Sequence, residues 1–245
     1  MITIKYDKVE STNIIAKEMA YNGAEHGTVV MANEQTAGKG QINRPFFSPP
    51  DHGIYMSIIL DVNIMNLEAP QMLTIYAAMT VCEAIEELCG KNPKIKWVND
   101  IFLEGKKICG ISADAISDKN GNISHIVAGI GINFTAAQLP AELEDIVTSI
   151  YKKNEKASVT RDELAGCIIK KITQPVQSKE KLINAYRQRL FIIGKKIKVE
   201  RVKNPFEAIA LDIDEHGHLV VRDMENNIIV LNAGEVSTRT VTPCF

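Results

Sequence analysis

Lys96-Trp97-Val98-Asn99-Asp100, followed closely by Lys106-Lys107-Ile108-Cys109-Gly110-Ile111, is the stretch on which the reading of this chain turns. Polar side chains and lysines crowd a short span between apolar runs, and burying polar groups there is costly unless something polar meets them. Ile95 to Trp97 reads as a strand, Glu104-Gly105 as a turn and Lys107 to Ala115 as the next strand. Strand side chains alternate between faces, so Lys106 is expected to be a solvated charge, with Lys107 at the rim of the sheet beside Asp100. Asn99 and Asp100 stand where the chain leaves the first strand. Local chemistry there fits an Asx turn and a ligand contact equally.

A second polar island, Glu34-Gln35-Thr36-Ala37-Gly38-Lys39-Gly40-Gln41, follows the strand Thr28 to Ala32. It opens a long loop, Asn33 to His52, and long loops in compact domains are usually functional. Gly38-Lys39-Gly40 gives a backbone that a ligand can approach closely, with a cation between the glycines. By itself it reads more readily as an ordinary flexible turn, and it is neither a P-loop nor a dinucleotide fingerprint. Gly129-Ile130-Gly131-Ile132-Asn133 ends a later strand, where glycines are unfavourable unless something packs against the backbone. Polar islands on strand ends point to one cleft.

The remaining elements follow from caps and periodicity. Met1 to Tyr6 reads as a strand, Ser11-Thr12 as hydroxyl caps and Asn13 to Tyr21 as a helix. Gly53 to Val62 is a strand, and Pro70 opens a markedly apolar helix to Leu88. An Asn120-Gly121 hairpin turn precedes the strand Ile123 to Gly131. Thr160-Arg161-Asp162-Glu163 is a capping box for a helix to Ile172, with another helix from Gln177 to Leu190. From Gly194 onward, short alternating runs describe a small antiparallel barrel or sandwich, which divides the chain into residues 1–193 and 194–245.

With 28 basic and 30 acidic residues, the formal charge of −2 creates no field for nucleic acid or anionic membranes, so any anion site must be local. The N-terminus lacks a signal-peptide core and no apolar run is long enough to span a bilayer. Five scattered cysteines without a CxxC pair read as reduced core thiols of a cytoplasmic protein.

Ser11-Thr12-Asn13, Glu34 to Gly40, Phe47-Ser48-Pro49, Tyr55-Met56-Ser57, Lys96 to Asp100, Lys107 to Ile111 and Gly131-Ile132-Asn133 together resemble, in order and spacing, the motifs of biotin–protein ligases. The tail from Gly194, ending in Asn232-Ala233-Gly234-Glu235-Val236-Ser237, is similar to that family's SH3-like C-terminal domain. The resemblance implies an α+β fold, a mixed central sheet with helices packed on it, plus a small SH3-like β-barrel. The winged-helix DNA-binding domain of the repressor members has no counterpart upstream of Ser11, so a monofunctional enzyme without DNA or membrane partners is expected.

That family joins the carboxylate of biotin to the α-phosphate of ATP, with Mg²⁺, and passes the acyl group to one lysine of a biotin carboxyl carrier domain. By matching position, the resemblance assigns Lys107 to the phosphates and Lys39 to the carboxylate and α-phosphate. Asp100 orients a lysine or a Mg²⁺ ion, and it is also the candidate base for the acceptor amine. Biotin is assigned Ser11, Thr12, Asn13, Gln35, Gly38, Lys39, Tyr55, Ser57 and Gly110. The nucleotide is assigned Lys39, Gln41, Arg44, Trp97, Asn99, Lys107 and Asn133. Members also pair through the central sheet, so a homodimer is within the expectation. A lipoate or octanoate ligase and a non-transferring biotin or adenylate sensor are the alternatives.

The chain departs from the family pattern at several positions. Where the family reads Gly-Arg-Gly-Arg-x-Gly-Arg, this chain has Gly38-Lys39-Gly40-Gln41-Ile42-Asn43-Arg44. Phe46-Phe47 stands in place of a tryptophan and Val98 in place of a proline. Losing one charge-assisted hydrogen bond at Gln41, worth roughly 1.5–3 kcal/mol, weakens the hold on an adenylate by about 10- to 100-fold. Gln41→Arg is therefore expected to slow biotinyl-adenylate dissociation by at least about 10-fold. Stopped-flow release of the preformed adenylate measures this, and an unchanged off-rate rejects it.

Overall fold

Apolar alternation in the first part of the chain resolves into one mixed sheet. The computed structural model describes residues 2–40, 45–67, 69–200, 205–232 and 237–240. In chain order these are β1 (Thr3–Val9), α1 (Thr12–Tyr21), β2 (Val29–Gln35), β3 (Gly53–Asp61), the short α2 (Val62–Met65), α3 (Pro70–Cys89), β4 (Lys94–Lys96), β5 (Asp100–Leu103), β6 (Lys106–Ser117), β7 (Ile123–Asn133), α4 (Arg161–Ile172) and α5 (Lys179–Arg189). The strand order is β1-β2-β3-β7-β6-β5-β4, with β1 parallel to β2 and the other neighbours antiparallel. Side-chain alternation divides the two faces. Val30, Ile59, Ile116 and Val127 meet Ala16 and Ala20 of α1 on one side. Val29, Ile58, Ile126 and Ile130 join the larger core with α3 on the other.

Local chemistry explains the boundaries. Pro70 occupies the first turn of α3, and Gly90 ends it with a left-handed φ of 63°. Thr160 and Glu163 satisfy each other's backbone N–H in the expected capping box of α4. Asp118 accepts from the N–H groups of Asn120 and Asn122 and so shapes the β6–β7 turn. Three readings of the sequence need revision. Gln35 belongs to β2, held there by pairing with Val9 of β1. Asp100 opens β5 instead of leaving a strand, because Ile101 and Leu103 bury themselves in the core and pull the segment into the sheet. Ser11 takes the extended N-cap backbone of α1, yet its side chain makes no capping bond.

A second sheet follows, with β8 (Lys196–Glu200), β9 (Phe206–Ile213), β10 (Leu219–Asp223), β11 (Ile228–Leu231) and β12 (Ser237–Thr240) in the antiparallel order β11-β10-β9-β8-β12. Its inward residues Ile197, Val199, Ala208, Leu219 and Val221 are fully buried and join the core that contains α3. Arg187 of α5 donates to Asp212 at 2.6 Å and to the Ile213 carbonyl at 2.9 Å. The indole N–H of Trp97 donates to the Gly217 carbonyl at 2.9 Å. Gly217 has a φ of +78°, and a Cβ there would lie 2.1 Å from Ile75, so this turn can approach α3 only as glycine. No helix among the described residues is long and apolar enough to cross a membrane.

Arg189 of α5 grips Glu86 of α3 through two parallel bonds of 2.5 and 2.7 Å. The guanidinium holds the Glu86 carboxyl below its usual range, against the opposing effect of burial. A lowered native pKa means that the unfolded chain binds the proton more readily, so this stabilisation is present above about pH 4.5 and fades as Glu86 protonates at lower pH. Glu86→Gln should cost about 1 kcal/mol at pH 7, or about 2–4 °C in Tm. The difference from wild type should shrink as the pH falls below about 4.5. Thermal unfolding of both proteins between pH 3 and 8 tests the sign and the window.

Candidate active site

A cavity opens on the α1 face because the strands beneath it carry almost no side chains. Gly110 of β6 pairs directly with Gly131 of β7, and Ser112 pairs with Gly129. On β3 the same two rows continue as Tyr55 and Ser57. A Cβ on Gly129 would lie 2.3 Å from Asn13 and 2.6 Å from Ser112, and one on Gly131 would lie 2.6 Å from the Phe46 ring. The floor is therefore backbone, covered closely by side chains from elsewhere.

Above the Ser112–Gly129 row sits a neutral hydrogen-bonding cluster. Thr12 donates to the Gln35 side-chain carbonyl from its backbone at 2.9 Å and from its hydroxyl at 3.1 Å. Gln35 in turn donates to Ser48 at 3.1 Å, and Ser48 donates to the Phe46 carbonyl at 2.9 Å. The Ser57 hydroxyl lies 2.8 Å from that of Thr12 and also against Asn13, which donates to Ser112 at 2.9 Å. Ser11, Thr12, Asn13 and Ser57 are all buried, and the first three line the cavity. This chain of bonds fixes the Gln35 amide and ties the start of α1 to the long loop.

Above the Gly110–Gly131 row the character changes to cationic. Lys107 Nζ is 2.6 Å from Asp100 Oδ1, with both side chains about one-quarter exposed. A Cβ on Gly110 would lie 3.1 Å from that ammonium, so Lys107 reaches directly over the floor. It does so because the β5–β6 ladder slips. Asp100 pairs with Gly110 and Ile101 with Cys109, but Phe102 then pairs with Lys107, leaving Ile108 as an extra residue. Without that bulge Lys107 would share the face of Cys109, in the core; the bulge turns it to the face of Asp100 and Gly110. Lys96, the partner of Asp100 across β4, lines the same cavity, as do Lys39 and Gly40. Two residues along a strand span about 7 Å, which separates the neutral cluster from the cations.

Several predicted residues lie elsewhere. Tyr55 is buried behind Phe46, with ring centroids 6.4 Å apart, and its hydroxyl donates to the Pro49 carbonyl at 3.0 Å. Burial pushes its phenol up, with Arg161 opposing, so the group stays a neutral donor. Ser57 and Gly38 support the lining from behind; a Cβ on Gly38 would lie only 2.7 Å from the Ser48 hydroxyl and the Phe46 carbonyl. Asn99 lines the cavity while donating to the Ile111 carbonyl at 2.7 Å. Trp97 also lines it. Asn133 is not in this cavity: it donates to the Thr148 carbonyl at 3.0 Å and lines an adjoining one with Phe47, His52 and Tyr55. Gln41 and Arg44 lie outside the described residues. Phe46, Ser112, Gly129 and Gly131 belong to the site without having been singled out as site residues. Ser112 was recoverable by stepping two residues along the strand from Gly110.

A floor of glycines, a neutral polar cluster at one end and lysines at the other form a cleft suited to a ligand that is polar and neutral at one end and anionic at the other. Residues 6–133 match the Biotin/lipoate A/B protein ligase family and residues 192–239 match the Biotin protein ligase C terminal domain. The Bifunctional ligase/repressor BirA of Bacillus subtilis is 34% identical over 91% of this chain and 70% of its own length. The Biotin--[acetyl-CoA-carboxylase] ligase of Mycobacterium tuberculosis is 29% identical over 92% of this chain and 85% of its own. The biotin protein ligase of Aquifex aeolicus, solved with biotin and ATP, shares the fold with a TM-score of 0.83 at 24% identity, covering 98% of this chain and 99% of that one. The chain belongs to the biotin/lipoate A/B protein ligase family.

Gly129→Ala should drive a methyl group into Asn13 and Ser112, and so disorder the neutral cluster. We expect biotin affinity to fall by at least about 10-fold, the worth of one displaced hydrogen bond or more. Isothermal titration reads the affinity; wild-type binding would show that the floor tolerates a side chain.

Proposed function

We propose that this protein is a biotin–protein ligase that forms biotinyl-adenylate from biotin and ATP and transfers biotin to a lysine of a biotin carboxyl carrier domain. We assign the substrate chemistry to residues 1–193 and the SH3-like unit to residues 194–245. The observation that carries this reading is that the buried neutral cluster and the Lys107–Asp100 pair stand over neighbouring rows of one glycine floor, two residues or about 7 Å apart along the strands. The ureido ring of biotin offers N–H and C=O groups to Ser11, Thr12, Asn13 and Gln35. A dithiolane or plain acyl chain would leave those buried groups unpaired, which favours biotin over lipoate or octanoate.

At the other end, the biotin carboxylate and the ATP phosphates are both anions. Lys107 and Lys39 offset their repulsion and the charge that develops as the carboxylate oxygen attacks the α-phosphorus and pyrophosphate leaves. Asp100 holds the Lys107 ammonium in place. The residues suit a Mg²⁺ ion that arrives on the phosphates, since such ions take one or two carboxylates alongside phosphate oxygens. Asp100, which also pairs with Lys107, is the carboxylate lining the cavity that would hold it; the described residues form no cluster of three or more metal-ligating side chains. The adjoining cavity with Asn133 is assigned to the rest of the nucleotide. Phe46 stands over Gly131, at the border of the two.

Incubation with MgATP, a purified biotin carboxyl carrier domain and either biotin or lipoate, followed by intact mass measurement of the carrier, tests the assignment. A mass gain with biotin alone is expected, and no gain with biotin rejects it. Lys107→Ala should slow pyrophosphate release by about 100-fold or more. Unchanged release would remove Lys107 from the chemistry.

A further inference from the structure

The transfer step needs an acceptor lysine whose amine has lost its proton, and at the cation end Asp100 already pairs with Lys107 at 2.6 Å. A second cavity, however, adjoins the first and shares Asn13, Lys39, Gly40 and Ser112 with it. The inner cavity holds about 120 Å³ and this outer one about 740 Å³, so the outer one has room for a side chain delivered by another protein. Its far wall comes from the second sheet, as His216, His218 and Asn232.

His218 is held as a dyad. Its Nδ1 is 2.9 Å from Asp214 Oδ2, and the other Asp214 oxygen accepts from the backbone N–H groups of His216 and His218 at 2.9 and 2.8 Å. Burial works against the charge on Asp214, but the His218 ring and these N–H groups hold its carboxyl below the usual range. A carboxylate beside Nδ1 favours the tautomer that carries its proton there, in which Nε2 is an acceptor, the arrangement of an oriented base. The turn that carries the dyad is fastened to the inner site, because Gly217 accepts from the Trp97 indole at 2.9 Å. Among the described residues, the other charged groups facing this cavity are Lys39, Lys17 and Asp114, of which the last two pair with each other at 2.9 Å, and His216 with Glu215 beside it. Gln71 and Thr74 of α3 are uncharged.

Resting on the biotin-ligase reading, we propose that the acceptor lysine enters through the outer cavity and that His218, oriented by Asp214, is the base that takes its proton. His218 Nε2 takes one proton from the lysine ammonium, and the freed Nζ attacks the acyl carbon of biotinyl-adenylate, so that the C–N bond forms and the acyl C–O bond breaks. AMP leaves with the electron pair, and the second proton, shed by the nitrogen as the amide forms, leaves with the AMP phosphate.

The test separates the two half-reactions in the full-length protein. H218Q keeps a donor for Asp214 but has no base. Pyrophosphate release on forming the adenylate should stay at the wild-type rate, while transfer of preformed adenylate to a carrier domain should slow by about 100-fold. A fall in wild-type transfer rate on acidification should be absent in the variant. Hydroxylamine, already unprotonated at neutral pH, should trap the adenylate equally in both proteins. D214N, which exchanges the carboxylate for an amide and frees the tautomer, should lose transfer in the same way. Wild-type transfer by H218Q, or an equal loss of adenylation, transfer and hydroxylamine trapping, overturns the proposal. Failure of the wild type to form adenylate at all would instead overturn the biotin-ligase reading.

Discussion

One extra residue in β6 sets up the site. Ile108 occupies a bulge opposite the Ile101–Phe102 step, so the strand changes phase between Lys107 and Cys109. On the C-terminal side of the bulge, Gly110 and Ser112 face α1 and Cys109 and Ile111 face the core. On its N-terminal side, Lys107 faces α1 as well. A regular strand would have put the lysine among Ile95, Ile101 and Ile132, where an ammonium without a partner is far too costly to bury. The bulge therefore does two things at once. It keeps the core apolar, with Ile108 fully buried, and it places a cation over Gly110 within 2.6 Å of Asp100.

The glycines complete this arrangement. Glycine within a strand loses conformational entropy and contributes no packing, so three of them on adjacent strands weaken the sheet where it is central. The loss is offset from both sides. Below, Ile111, Ile130 and Ile132 pack into the main core. Above, Asn13, Lys107 and Phe46 cover the exposed backbone without filling the space that a Cβ would occupy. The long loop supplies Phe46, and the bonded series Thr12–Gln35–Ser48–Phe46 fixes that loop to the first turn of α1.

Much of this was legible in the residues, for identifiable reasons. The capping box at Thr160, the Asn120-Gly121 hairpin and the run of alternating strands after Gly194 are local signals, and the structure follows each of them. The unexplained glycines at 129 and 131 indicated close packing on a strand, which Asn13 and Phe46 supply. What stayed hidden was non-local. The register that sets Gly110 opposite Gly131 and Ser112 opposite Gly129 depends on strand pairing, as does the bulge that turns Lys107. Tyr55 and Asn133 matched motif positions yet point away from the inner cavity, because membership of a motif does not fix which of two adjoining spaces a side chain lines. Ser11 fell at a helix cap without acting as one, which leaves its hydroxyl at the cavity wall.

The turn Trp97-Val98-Asn99 connects these local facts to the rest of the molecule. Three parts of the chain hold it. Tyr186 of α5 is fully buried and donates to the Val98 carbonyl at 2.8 Å. Gly217 of the second sheet accepts from the Trp97 indole, and Asn99 exchanges bonds with Ile111 of β6 in both directions. Each buried polar contact costs about 1–3 kcal/mol if one partner is removed, so the turn has little freedom to move alone. Asp100 is the next residue along, and its distance from Lys107 inherits that rigidity. The second sheet is thus bonded, through Gly217 and Trp97, to the turn that leads into Asp100.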